Sequence, residues 1–186
     1  MSKLSVIIGS TRPGRVGLPI GQWFFEQAKR HGKFEVDLLD LKEIGLPLLD
    51  EPKHPRLGEY ENEHTKAWSA RIKASDAFVF VTPEYNFCLA PALLNALDYL
   101  FHEWAYKPAG IVSYGGISGG MRSAQQLKQP LVTLKVMPLP EAVTITFFAQ
   151  LMENGVFKGS EPLEKSSVTM LDELARWADA LRVLRP

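Results

Sequence analysis

The chain is poor in cysteine: Cys88 is the single one in 186 residues. No intrachain disulfide can form, and a cysteine-rich zinc site is excluded. Long apolar runs are missing too. Near the start the longest is Val6-Ile7-Ile8, cut off by Gly9-Ser10-Thr11-Arg12, far too short for a secretion signal or a membrane span. An excess of one charge is also absent, because 21 Lys and Arg balance 21 Asp and Glu. No general field draws the protein to nucleic acid or to an anionic membrane. These absences predict a soluble, cytoplasmic protein whose partners are small molecules, with no nucleic acid and no membrane. They leave room for a local anion site. At this length one domain, 1–186, buries roughly 70% of the surface its unfolded chain would expose, so no staple is needed.

What is present reads as alternating strands and helices. Leu4 to Ile8 is an apolar run, and Val16, Ile20, Trp23, Phe24 and Ala28 then fall on one face of a helix that His31-Gly32 stops. Phe34, Val36 and Leu38 alternate with acids, as in an edge strand. Residues 41–60, with three prolines, read as a long loop of the kind that serves function or an interface. A helix over about 62–75 precedes Ala77 to Val81, a continuously apolar strand that belongs mid-sheet. Pro91 opens a third helix, and Ala109 to Tyr114 is the next strand. A helix over about 121–130 follows, then a strand region from Leu134 to Ile145 whose Pro138 and Pro140 place it at an edge. Pro162 to Leu184 closes the chain as an amphipathic helix. Five strand-helix alternations specify a parallel sheet with helices on both faces. Continuous burial puts strands one, three and four at the centre, which gives an α/β, flavodoxin-like three-layer sandwich of strand order 2-1-3-4-5.

In such a sheet, ligands bind beyond the carboxyl ends of the central strands. Three unusual segments follow those ends. Gly9 to Arg15 leads into the first helix, whose free amides and positive dipole end face the loop. Ser10, Thr11, Arg12 and Arg15 add hydroxyls and two guanidinium forks, a set suited to a phosphate monoester. A surface turn with solvated arginines is the plainer reading. The segment is no P-loop, since Arg15 and Val16 stand where lysine and Ser/Thr belong. It is no glycine-patterned dinucleotide turn either, although Asp40 can still mimic the ribose-binding acid. Thr82 to Asn86 offers backbone amides, an aromatic ring and an amide side chain where only a turn is required, and a proline turn with left-handed Asn86 is the alternative. Ser113 to Gly120 carries four glycines within 115–120, which permits a ligand to approach the backbone closely.

With these segments in view, Gly9-Ser10-Thr11-Arg12, Pro83-Glu84-Tyr85-Asn86 and Tyr114-Gly115-Gly116 resemble the three signatures of the NADPH-dependent FMN reductase family, in order and each after the right strand. The resemblance implies bound FMN, with Ser10, Arg12, Arg15 and Val16 at its phosphate. Pro83, Glu84, Tyr85 and Asn86 then run along the isoalloxazine, and Ser113, Tyr114, Gly115, Gly116 and Ser118 lie near its pyrimidine side. It implies NADPH or NADH as co-substrate, a quinone-like or other small electron acceptor, and a homodimer or homotetramer. For the subunit contact the 41–60 loop and Phe101 to Tyr106 are the candidates, with core packing the alternative for those aromatics. Relatives often carry a hydroxyl residue where Arg15 stands, so Arg15 serves either the FMN phosphate or the 2′-phosphate of NADPH.

The flavin carries the hydride chemistry in this reading, so no general acid or base is assigned. The competing readings are a flavodoxin-type electron carrier, disfavoured by the zero formal charge, and a flavin-free nucleotide sensor. His31, His54, His64 and His102 lack metal-ligand spacing. Cys88 reads as a small packed thiol.

Overall fold

The computed structural model describes residues 1–185. Five parallel strands, β1 (Ser2–Ile8), β2 (Phe34–Asp40), β3 (Ala77–Pro83), β4 (Pro108–Tyr114) and β5 (Met137–Ile145), lie in the order β2-β1-β3-β4-β5. Every residue of β3 and of β4 is buried, whereas β2 and β5 alternate. That contrast follows from the sequence pattern, since a strand covered on both faces has no polar side to keep wet. Pro138 and Pro140 sit in β5, which pairs only with β4 and so can spare the missing amides on its outer side. The pairing slips once, between Ala109 and Ile111.

Side chains of the central strands alternate between two cores. Phe78, Phe80 and Ile111 pack with Trp68, Leu93, Leu97 and Leu127 from α3 (Glu63–Lys73), α4 (Pro91–Asp98) and α5 (Met121–Thr133). On the other face Val79, Val81 and Val112 meet Ile20, Phe24, Met170 and Leu174 from α1 (Gly17–His31) and α6 (Glu161–Leu181). Both layers are fully buried, each such side chain contributing about 1.5–3 kcal/mol. Two segments were misread in the sequence. The loop over 41–60 contains a one-turn helix, α2 (Leu41–Ile44), capped by Asp40, and a 3₁₀ turn at Pro55–Leu57. The stretch before α6 forms a small hairpin, β6 (Met152–Glu153) and β7 (Val156–Phe157), around left-handed Asn154 and Gly155. Asn-Gly between apolar residues is the signal for such a turn. It seats Phe157 edge-on against Trp23 of α1 at 5.2 Å.

Candidate functional site

The parallel order brings the loops after β1, β3, β4 and β5 to one edge of the sheet. Gly9 is tied there by its amide to the Val81 carbonyl (2.9 Å), so the first loop rises beside the end of β3. Ser10 follows at zero exposure, and its Oγ has no hydrogen-bond partner. The hydroxyl lies against the start of α1: a Cβ on Gly17 would come within 2.1 Å of Ser10 Oγ and 2.5 Å of the Tyr114 hydroxyl, so only glycine fits. That helix end has no side-chain cap and no acid in its first turn. Uncapped amides with a partial positive charge are ready to meet an anion. Arg12 is exposed, its guanidinium touching only the neighbouring Pro13 carbonyl (3.2 Å).

The second and third loops are tied to each other. Tyr85 and Cys88 exchange both backbone hydrogen bonds (3.0 and 2.9 Å) around Asn86 (φ 50°) and Phe87 (φ 69°), a two-residue turn with both central residues left-handed. Asn accepts that conformation readily. Phe does not, and Phe87 is also 63% exposed. The Arg122 guanidinium stacks on its ring at 3.9 Å. The same guanidinium, the Arg122 amide (3.1 Å) and the Ser118 hydroxyl (3.1 Å) all donate to the Glu84 carboxylate, whose side chain is only 8% exposed. Burial alone would raise the pKa of Glu84, but the hydrogen bonds from Arg122 and Ser118 outweigh it and hold the carboxyl below its ordinary value. Beneath the clamp the Thr82 and Ser123 hydroxyls are bonded at 2.9 Å. Gly116 faces open space, with nothing within 4 Å of where a Cβ would stand, so the protein's own packing does not demand glycine there.

The family described as NADPH-dependent FMN reductase matches residues 2–150. An NAD(P)H-dependent FMN reductase of Schizosaccharomyces pombe is 43% identical over 156 residues, covering 83% of this chain and 78% of its own length. One of Saccharomyces cerevisiae is 37% identical over 145 residues, covering 72% and 75%. Among solved structures, the flavoenzyme NAD(P)H:(acceptor) oxidoreductase of Paracoccus denitrificans superposes with a TM-score of 0.76 at 24% identity, over 97% of this chain and 98% of that one, which speaks for the fold. The chain belongs to the NADPH-dependent FMN reductase family.

FMN and NAD(P)H are accordingly the cofactor and co-substrate of this reductase. Its own residues fit FMN: an orphaned buried hydroxyl stands at an uncapped helix start, and the backbone at Gly116 is open to a flat ring. Several expected contacts move, however. Arg15 does not reach into the phosphate loop. Both of its terminal nitrogens bond the Asp40 carboxylate, one of them also donates to the Ser10 carbonyl, and the side chain is 6% exposed. The hydrogen bond to Asp40 raises the arginine's pKa against the opposing effect of burial. Asp40 is spent in the same pair and on the Lys42 amide, so it is not free to hold a ribose. Tyr114, expected near the pyrimidine, instead buries its ring beside Phe148, with its hydroxyl below Ser10. Burial pushes that phenol up to about 12. Ser113 is buried within β4. Glu84 and Ser118 turn their side chains to each other, leaving the Pro83 to Asn86 backbone and Gly115-Gly116 to face a ring.

Two other readings change as well. Trp104 is fully buried against Trp68 and Phe78, so the centre of the Phe101–Tyr106 segment is core and not a contact surface. Cys88 is exposed, not packed, with only the Gln126 amide near its sulfur (3.6 Å). The described residues contain no cluster of metal-ligating side chains. Sequence reasoning missed Arg122 altogether. It stands 38 residues from Glu84, at no spacing that announces a pair, and its one local signal is its position in the first turn of the helix that follows the glycine-rich loop.

Proposed function

We propose that this reductase passes hydride from NAD(P)H by way of FMN to a planar small acceptor such as a quinone, at the sheet edge built from Ser10, Arg12, Val16, Pro83 to Asn86 and Gly115-Gly116. The observation that carries the reading is the orphaned Ser10 hydroxyl at the uncapped start of α1, beside an arginine with no acidic partner. When bound, FMN supplies the chemistry, accepting two electrons and a proton equivalent from one partner and yielding them to the next. The chain's residues position and tune. Ser10, the first amides of α1 and Arg12 hold the phosphate, with Val16 flanking it. The Pro83–Asn86 and Gly115–Gly116 backbones carry the ring edge, while the clamp of Glu84, Ser118 and Arg122 fixes the two loops relative to one another. Tyr85 and Asn86 border the exposed side where donor and acceptor stack in turn.

A quinone-like acceptor is in keeping with relatives named as NADPH:quinone oxidoreductases in Oryza sativa and with an FMN-dependent NADPH-azoreductase of Staphylococcus saprophyticus. A homodimer or homotetramer is supported by large apolar side chains left in water at this edge: Leu48, Phe87, Ile117 and Phe147. No helix among the described residues is long and apolar enough to cross a membrane, in keeping with a cytoplasmic enzyme. The test is the visible spectrum of the protein after FMN loading and desalting, followed anaerobically as NADPH is added. Bleaching that a quinone reverses is the expected result. A retained flavin band that NADPH leaves untouched would mark an electron carrier instead.

A further inference from the structure

The edge of the sheet opposite the flavin loops holds a cavity of about 610 Å³ between α3, the start of β4, the turn before β5 and the end of the chain. Its charge is unusual for a molecule that forms many surface ion pairs and has zero formal charge. Lys73, Lys107 and Lys135 all line it, and among the described residues none of the three has a carboxylate within ion-pair distance. Lys107 is 6% exposed, and its Nζ donates to the Ile72 (2.8 Å) and Lys73 (3.3 Å) carbonyls at the end of α3, which leaves one N–H. Lys135 Nζ donates to the Tyr106 hydroxyl at 3.1 Å. The acids nearby are spent: Glu103 accepts from Tyr60 (3.1 Å) and Ser69 (2.6 Å), and Asp76 holds Arg185. An ammonium buried without a counter-charge is costly, and its proton is loosened accordingly: burial pulls Lys107 down to about 8.

Rings form the rest of the wall. Tyr60, Phe101 and Tyr106 face the same space. Tyr106 and Lys135 are both left-handed (φ 59° each) and joined by a 2.9 Å backbone hydrogen bond, the sort of strain that collects at ligand clamps. Cations without partners beside aromatic walls, in a space of the size that small-molecule sites have, define the chemistry of an occupant.

We propose that this cavity is a second binding site, separate from the flavin edge, for a planar aromatic ring that carries an anionic group, the ring lying among Tyr60, Phe101 and Tyr106 and the anion meeting Lys73, Lys107 and Lys135.

The probe is naphthoate, titrated calorimetrically into the FMN-loaded protein while the visible flavin band is recorded. The expected result is one binding event that leaves the band unmoved and weakens about tenfold or more in the double variant Lys73→Gln, Lys135→Gln, and again in Lys107→Met. The two surface substitutions keep the test decisive if the buried one unfolds the chain. Naphthylmethanol, the ring without the charge, and sulfate, the charge without the ring, should each bind at least about tenfold more weakly than naphthoate. Absence of binding in the wild type overturns the proposal. So does binding that survives the double variant, binding that perturbs the flavin band, or sulfate binding as tightly as naphthoate.

Discussion

The loop after β1 and the pair of loops after β3 and β4 serve one edge of one sheet, yet they treat their polar groups in opposite ways. In the first, Ser10 Oγ is buried with no partner, the α1 amides are uncapped and Arg12 points to water. In the second, the Glu84 carboxylate takes three donors, and even the strained Phe87 is covered by a guanidinium. A buried hydroxyl without a partner costs about 1–3 kcal/mol, a penalty that a folded chain keeps where a ligand removes it. A saturated carboxylate has nothing left to offer a ligand and can only hold other groups still. The first loop is therefore built to bind and the second pair to position. Arg15 marks the boundary, since it stands in the binding loop but behaves as a positioning group on Asp40.

The largest effect is expected at that boundary. Removing Asp40 leaves Arg15 buried without a counter-charge, and breaking such a pair costs about 3–5 kcal/mol. Asp40→Ala should therefore lower the melting temperature by roughly 10 °C in the flavin-free protein, as read by thermal denaturation. If the variant melts normally and binds FMN more tightly, Arg15 belongs with the binding groups and the boundary is drawn in the wrong place. Next in size is Arg12→Ala. A charge-assisted contact to phosphate is worth about 1.5–3 kcal/mol, so FMN affinity should fall about tenfold or more with an unchanged melting temperature. Fluorescence titration of FMN against the flavin-free protein measures the first quantity.

Much of this architecture was legible beforehand, and the reasons are physical. Strand order followed from burial: Ala77 to Val81 and Ala109 to Tyr114 carry no polar side, and Pro138 and Pro140 can only lie at an edge. The positions of the three loops then followed from the topology. Side-chain direction did not. Arg15 and Arg12 are both guanidinium groups in one heptapeptide, and only the distant Asp40, at the end of β2, decides that one is buried and the other free. The Glu84–Arg122 pair was hidden for the same reason, because its partners meet through the sheet and not along the chain. Trp104 looked like an interface aromatic until Trp68 and Phe78 closed around it. The Asn154-Gly155 hairpin is different: its signal was local and simply went unread.

A smaller effect sharpens the positioning side of the comparison. Arg122→Ala removes one guanidinium from both Glu84 and Phe87 and should cost about 1 kcal/mol of loop order, seen as weaker FMN retention with little loss of overall stability. The clamp also titrates. Because Glu84 is held below its ordinary pKa, the unfolded chain binds its proton more readily than the folded one. Its stabilisation is complete above the ordinary value of 4.5 and is lost as pH falls through the lower folded value. Urea denaturation of the wild type and of Glu84→Gln should thus diverge at neutral pH and converge in acid. Equal stability at every pH would show that the carboxylate holds nothing.

The smallest shift is also the one whose sign depends on the ligand. Ser10→Ala deletes a hydroxyl that has no partner in the flavin-free protein, so it abolishes a desolvation penalty and loses no bond. The flavin-free variant should be as stable as the wild type or more stable by about 0.5–1 kcal/mol. With FMN bound the order reverses, because the wild-type hydroxyl then donates to the phosphate and the alanine cannot. Affinity should drop by about fivefold to tenfold. Paired denaturation curves with and without FMN read both signs in one protein. A variant destabilised in both states would mean that Ser10 holds the loop together like Glu84, and the division between a binding loop and positioning loops would fall.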